Sequence, residues 1–166
     1  VIEKPIEIRY FIGDRFTVDN IELEIAEIST SGTLTLRYDN RAFFISGTKN
    51  PAKIGTKEII ISKISLEPQL EKRYVVLDID EIPLKDNEHV LDYRREISVL
   101  GKKVQLRDVY SDELKSIRVQ VSEKINSEIK KIPQGKTETI LGLKITNIRA
   151  NPRAVSYEKY AIVRIE

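Results

Sequence analysis

IIISKISLEPQLEKRYVVLDI (residues 59–79) reads as strand, loop and strand, and LKITNIRANPRAVSYEKYAIVRI (residues 143–165) reads the same way at the end of the chain. Laid side by side, Ile61 falls on Ile145, Ile64 on Ile148 and Pro68 on Pro152. After a two-residue slip, Tyr74 falls on Tyr160 and Ile79 on Ile165. The offset of 84 to 86 is about half of the 166 residues, so the chain reads as one module used twice.

Period-two alternation runs through both halves. IELEIAEI sets Ile21, Leu23 and Ile25 on one face and Glu22 and Glu24 on the other; TLTLRY sets Leu34, Leu36 and Tyr38 together. IEIRYFI aligns Ile6, Ile8, Tyr10 and Ile12, and RYVVLDI alternates Val75, Leu77 and Ile79 against Tyr74, Val76 and Asp78. The second half continues with REISV, KKVQL, SIRVQV, LKITNI and YAIVRI. Alternation buries one face and wets the other, as in antiparallel sheets. Gly13, Gly32, Gly47 and Gly55 stand singly between the runs, where a turn can use positive φ.

The expected fold is therefore all-β, with two tandem β-sandwich, immunoglobulin-like domains built from the internal repeat. Domain 1 is placed at residues 1–82 and domain 2 at 91–166. Residues 83–90 form the connector, because DEIPLKDNEHVLDY has Pro83, many charges and no alternation. Two departures from a perfect copy are expected. Gly13 to Ser31 spans 18 positions and Gly101 to Ser111 only 10, which predicts a shortened or lost strand in the second half. VSEKINSEIKKIPQG spaces Val121, Ile125, Ile129 and Ile132 helically, with Ser122 as cap and Pro133 to Gly135 as stop. That predicts a short helix in domain 2.

Charged residues make up 33% of the chain, above the usual quarter or so, with 25 isoleucines and no Cys, Met or Trp. This is the composition of a heat-adapted protein. Without cysteine there is neither a disulfide framework nor thiolate chemistry. A net charge of +2 argues against a nucleic-acid partner. The halves nevertheless differ in sign: residues 1–83 hold 11 Lys/Arg against 14 Asp/Glu (−3), and residues 84–166 hold 17 against 12 (+5). Unlike ends of this kind can attract neighbouring copies. No run reaches the roughly 18 apolar residues of a membrane span. The sequence opens on Val1, as a processed protein or a cut segment would.

His89 is the only histidine, which leaves no base for a Ser–His triad, and no glycine-rich phosphate loop is present, so no enzymatic activity is expected. The acidic connector offers the one candidate metal site, through Asp86, Glu88, His89 and Asp92. Ca²⁺ is the ion that clustered carboxylates would take, although EF-hand spacing is lacking. The alternative is a hydrated linker kept soluble by its charge, and no cofactor is then needed. Tyr74 and Tyr160 each follow a basic residue, Arg73 and Lys159. Such tyrosines either stack on sugars, bases or partner side chains, or pack with the hydroxyl bonded to backbone, which is the preferred role here.

IGDRFTV, IELEIAEISTSGTLTLRY, GTKEIIISKI and RYVVLDI in the first half, with LGKKVQL, VYSDELKSIRVQV, LGLKITNI and KYAIVRI in the second, resemble β-sandwich modules of archaeal surface-layer (S-layer) proteins and smaller secreted relatives. The resemblance implies a non-catalytic structural or accessory protein of the cell envelope, at the cell surface, whose partners are other envelope proteins or further copies of itself. It carries over no catalytic residues. Two other functions remain open at this point: an extracellular carbohydrate- or metal-binding β-sandwich module, and an archaellum stator-like domain. No Asn-x-Ser/Thr glycosylation acceptor is present, which departs from the pattern of such surface proteins.

Overall fold

The structure, a computed structural model, describes residues 7–46, 50–153 and 155–166; Ile6 and Gly47 lie outside them. The chain divides into two units, residues 1–82 and 83–166. The described residues form four antiparallel sheets of four strands, two in each unit. Unit 1 contains β1 (Tyr10–Phe11), β2 (Arg15–Val18), β3 (Ile21–Ile28), β4 (Thr33–Tyr38), β5 (Arg41–Ser46), β6 (Ala52–Ile54), β7 (Lys57–Ser65) and β8 (Tyr74–Glu81). Unit 2 contains β9 (Glu88–Asp92), β10 (Glu96–Val99), β11 (Lys102–Val109), β12 (Ile117–Glu123), β13 (Asn126–Ile132), β14 (Thr137–Ile140), β15 (Leu143–Asn151) and β16 (Tyr160–Ile165).

The sheet orders are β2-β3-β4-β5 and β1-β8-β7-β6 in unit 1, and β10-β11-β12-β13 and β14-β15-β16-β9 in unit 2. Each strand thus has its counterpart eight places further on. In both units the alternating apolar residues of the two sheets meet in one core. Leu23, Ile25, Leu34, Leu36 and Ile45 face Ile59, Ile61 and Val75 in unit 1; Val104, Leu106, Val119 and Val121 face Ile145, Ala161 and Val163 in unit 2. These are tandem β-sandwiches. Their connectivity is up-and-down, with the first strand returning beside the last, whereas immunoglobulin domains follow a Greek key. Unit 2 also curls partway toward a barrel. Tyr93 bridges to Leu106 of the opposite sheet, while Lys130 donates to Thr139 O (2.8 Å) across the β13–β14 edge.

The register proves the duplication residue by residue. Ile59↔Ile79 corresponds to Ile145↔Ile165, and a bulge interrupts β7–β8 between Ile61 and Lys63 as it interrupts β15–β16 between Asn147 and Arg149. A second bulge falls between Ile25 and Glu27 in β3 and between Leu106 and Asp108 in β11. A bulge inserts one residue and reverses which parity faces inward. Hence Ile25 and Ile28 are both buried, as are Leu106 and Val109. The true offset at β7–β8 is 86 throughout (59 to 145, 79 to 165), so Ile61 matches Asn147 rather than Ile145, and no slip occurs.

Three expectations are corrected. The segment expected to be a helix is the β12–β13 hairpin, turning at Lys124-Ile125 with Lys124 at φ 53°. Its helical spacing was accidental: Val121 and Ile132 are buried from two different strands, while Ile125 is 98% exposed. Among the described residues, unit 2 has a counterpart for each strand of unit 1. Gly13 corresponds to Arg94, not Gly101, since each donates its N–H across to the equivalent carbonyl, Ile25 O and Leu106 O. Finally, Glu88–Asp92, partly assigned to the connector, is β9 and pairs with β16. Its lack of apolar alternation reflects a short strand with one buried side chain, Leu91.

Candidate interaction surfaces

The acidic residues near the connector are not gathered into a metal centre. Asp86 precedes β9, Asn87 adopts left-handed backbone at φ 64°, and Glu88 accepts a hydrogen bond from Lys85 N (2.7 Å). Along β9, successive side chains point to opposite faces. His89 therefore shares a face with buried Leu91, and Glu88 and Asp92 share the other. Among the described residues, no group of three or more His, Asp or Glu stands where it could hold a metal ion. The two repeated tyrosines also diverge. Tyr160 is buried, whereas the half-buried Tyr74 ring is covered by the Arg9 guanidinium at 4.4 Å and flanked by Phe11.

The loops joining the last two strands of each unit are braced by buried arginines. In unit 1, Ile28 pairs with Leu34 next to the Ser29–Thr33 hydrogen bond, so its own carbonyl points away from β4. On that side β2 has already ended. Arg73 fills the gap, donating from Nη1 to Ile28 O (2.9 Å), and its Nε holds Glu67 O (2.7 Å). The loop is thereby fixed to the sheet, and it presents Leu66 and Leu70 to solvent. In unit 2 the corresponding loop encloses Arg153 and Glu158, whose side chains are 5% and 2% exposed and 3.8 Å apart. Burial pushes the Arg153 pKa down, against the opposing pull of Glu158. Tyr157 stands exposed on this loop.

At the opposite end of each unit lie three hairpin turns. Those of unit 1 use residues suited to left-handed backbone: Asp19-Asn20 (φ 49° and 64°), Asp39-Asn40 (47° and 58°) and Gly55 (61°). Asp19 accepts from the Thr56 amide and hydroxyl, both at 2.8 Å, and pairs with Lys57, which also reaches Glu81 at 3.0 Å. The Lys57 hydrogen bond, helped by Thr56, holds the Asp19 carboxyl down to about 2. Asp19 packs so closely that a Cβ on Gly55 would lie 2.5 Å from its Oδ2.

The same three turns of unit 2 are Leu100-Gly101, Lys124-Ile125 and Leu141-Gly142. Leu100 (φ 50°) and Leu141 (44°) occupy left-handed backbone, at a cost of roughly 1–2 kcal/mol for a residue with a bulky side chain. Leu100 is 68% exposed, and Leu141 packs partly on the core. The β12–β13 hairpin also outruns its counterpart. Since Leu34↔Ile45 matches Ile117↔Ile132, the last unit 1 pair, Tyr38↔Arg41, matches Val121↔Glu128. Beyond it, Ser122↔Ser127 and Glu123↔Asn126 carry Ile125 further out by about 7 Å. Lys102 binds the three turns together: its Nζ donates to Leu141 O and pairs with Glu123 (3.7 Å), while Leu141 N donates to Glu128 (2.9 Å). This apolar end went unnoticed in the sequence, where the repeated Leu-Gly at 100–101 and 141–142 was its one visible sign.

The chain matches no protein-family model and no curated protein sequence. Among the described residues, no helix is long and apolar enough to cross a membrane.

Proposed function

We propose that this protein is a non-catalytic structural or accessory component of a cell surface, of the surface-layer kind, acting through protein–protein contacts. The observation that carries the contact function is the braced loop of unit 1. A buried guanidinium is committed to holding Glu67 and Ile28 carbonyls, and the result is a fixed loop displaying Leu66 and Leu70. A contact loop ordered beforehand loses less entropy when a partner docks. Tandem sandwiches of opposite net charge, −3 and +5, further suit head-to-tail association, which gives open chains or rings. The envelope setting and extracellular location rest on the resemblance of the repeated modules to surface-layer proteins.

Sedimentation velocity of the full chain, at low and high ionic strength, tests the contact function. Association should rise with concentration and weaken with added salt, because exposed charges are screened beyond about 8 Å at physiological salt. Leu66→Asp with Leu70→Asp should abolish it. A chain that stays monomeric at every concentration and salt overturns self-assembly and leaves a different envelope protein as the partner. Immunogold labelling of intact source cells tests the location, and label confined to the cell interior overturns it. The carbohydrate alternative has less support, since the Arg9 guanidinium already lies over the Tyr74 face.

A further inference from the structure

We propose that the outer edge of β8 in unit 1, from Leu77 to Glu81, accepts an extended segment of a partner protein in which Lys or Arg alternates with apolar residues. The duplicate unit shows what this edge lacks. In unit 2, β9 pairs with β16 at five positions, Tyr160↔Asp92 to Arg164↔Glu88, and Val163 and Ile165 of β16 are 0% and 2% exposed. In unit 1, β1 pairs with β8 at two positions, Tyr10↔Val75 and Phe11↔Tyr74. Leu77 and Ile79, the counterparts of Val163 and Ile165, pack against the core yet are only half-buried. Their backbone is open as well. Ile82 N donates to Thr56 O, so the even-numbered residues of this stretch bond to β7, and the amides and carbonyls of Leu77, Ile79 and Glu81 face the edge. Among the described residues, no strand pairs with them there. An open ladder edge is a template for another strand.

The charge of the edge selects the occupant. Asp78 and Asp80 are exposed on the outer face, and neither pairs with a cation among the described residues. Around them Asp19, Glu58 and Glu81 face Lys53 and Lys57, which leaves five carboxylates against two ammonium groups. Arg9 and Lys63 lie over the Tyr74 ring, at the other end of the strand. The chain's own strands fit this edge badly. Carried on in register, β1 sets Glu7 opposite Asp78, and a second β8 laid antiparallel about Ile79 sets Asp78 opposite Asp80, like charge against like. Glu7 instead pairs with Arg9 and Lys63, at 3.2 and 3.6 Å. A strand with Lys or Arg at its outward positions meets both aspartates, while its apolar residues close over Leu77 and Ile79. Main-chain bonds supply the affinity of such strand addition, and alternate side chains its specificity. This deepens the contact function proposed above by naming a partner class, and it uses a separate surface, at the far end of β8 from the Leu66–Leu70 loop.

Fluorescence anisotropy with dye-labelled octapeptides and the full chain tests it. A peptide alternating Lys and Val should bind. One alternating Glu and Val, and a Lys–Val peptide with every amide N-methylated, should each bind at least tenfold more weakly. Asp78→Lys with Asp80→Lys should melt as the wild type does and reverse the preference in favour of the Glu–Val peptide. Amide exchange at Leu77, Ile79 and Glu81 should slow at least tenfold when the Lys–Val peptide is bound. Leu66→Asp with Leu70→Asp should leave this binding unchanged, so either surface can fail its test without affecting the other. The proposal is overturned if no peptide binds, which would make the acidic row a guard against edge-to-edge aggregation. It is overturned too if the N-methylated peptide binds equally well, or if the charge-reversed variant keeps the wild-type preference. It fails equally if Leu77 and Ile79 amides of the free chain exchange as slowly as those of Val163 and Ile165, since the edge would then be filled from within the chain.

Discussion

Replacing Arg73 by alanine should destabilise unit 1 by about 2–3 kcal/mol, and the figure follows from which of its partners can find water. Arg73 donates to Glu67 O at 2.7 Å, Ile28 O at 2.9 Å and, more weakly, Pro68 O at 3.4 Å. Hydrogen bonds from a charged donor are worth about 1.5–3 kcal/mol each, and a buried carbonyl left unpaired costs about 1–3 kcal/mol. The Glu67 and Pro68 carbonyls sit on a surface loop and regain solvent. The Ile28 carbonyl is buried beyond the end of β2 and does not, so its loss dominates. For a unit of this size, each kcal/mol moves the melting temperature by about 4–8 °C, which predicts a drop of about 10–20 °C. Differential scanning calorimetry of the full chain would read it. Amide exchange should locate the damage at residues 66–73 and at the β3–β4 turn. Arg73→Lys should fall between, because one ammonium cannot span both Glu67 O and Ile28 O in fork geometry. A change below about 0.5 kcal/mol, the usual range for surface substitutions, would refute the account of the braced loop.

The Asp19 carboxyl has its pKa lowered to about 2 from 3.8, so its contribution to stability is complete above pH about 4 and lost as pH falls toward 2. Asp19→Asn should flatten that part of the stability–pH curve, and an unchanged slope in acid titration followed by circular dichroism would contradict it. Breaking the enclosed pair by Glu158→Leu should destabilise unit 2 by about 3–5 kcal/mol, since a buried guanidinium loses its counter-charge. Adding Arg153→Met should restore most of the loss in thermal melts, and an additive second loss would show that the two side chains act independently. Residues 83–166 should fold alone with a β-type spectrum. Residues 91–166 should be much less stable, because the cut removes most of β9 and uncovers β16; equal stability would place β9 outside the cooperative unit.

Period-two alternation was readable because burial on one face of a strand is a local property, repeated every second residue. It located Leu23, Ile25, Leu34 and Leu36 in the core of unit 1, while the likeness of residues 59–79 to 143–165 marked the chain as a repeat. The pairing of Tyr74 with Tyr160 was readable for the same reason, since each opens the last strand of its unit. Alternation fails wherever a single residue is inserted. The bulges after Ile61 and Asn147 reverse inward parity without any change in composition, whereas a shift of two residues leaves parity unchanged, so isoleucines two residues out of register still matched. The run Val121, Ile125, Ile129 and Ile132 misled for a related reason. A hairpin whose turn lies at Lys124-Ile125 folds one such run onto two strands, and spacing along the chain does not report a reversal of direction.

What the sequence by itself determined is the set of strands with one apolar face and their use twice over, since those depend on neighbours a few residues away. What only tertiary structure decided is where the leftover groups go. Arg73 meets the carbonyl of Ile28, 45 residues earlier, because β2 stops short and leaves that carbonyl without a strand. Leu100, Ile125 and Leu141 come to one end because three hairpins of a sandwich turn on the same side. Neither meeting is written in local spacing; both follow from the order in which the strands pair.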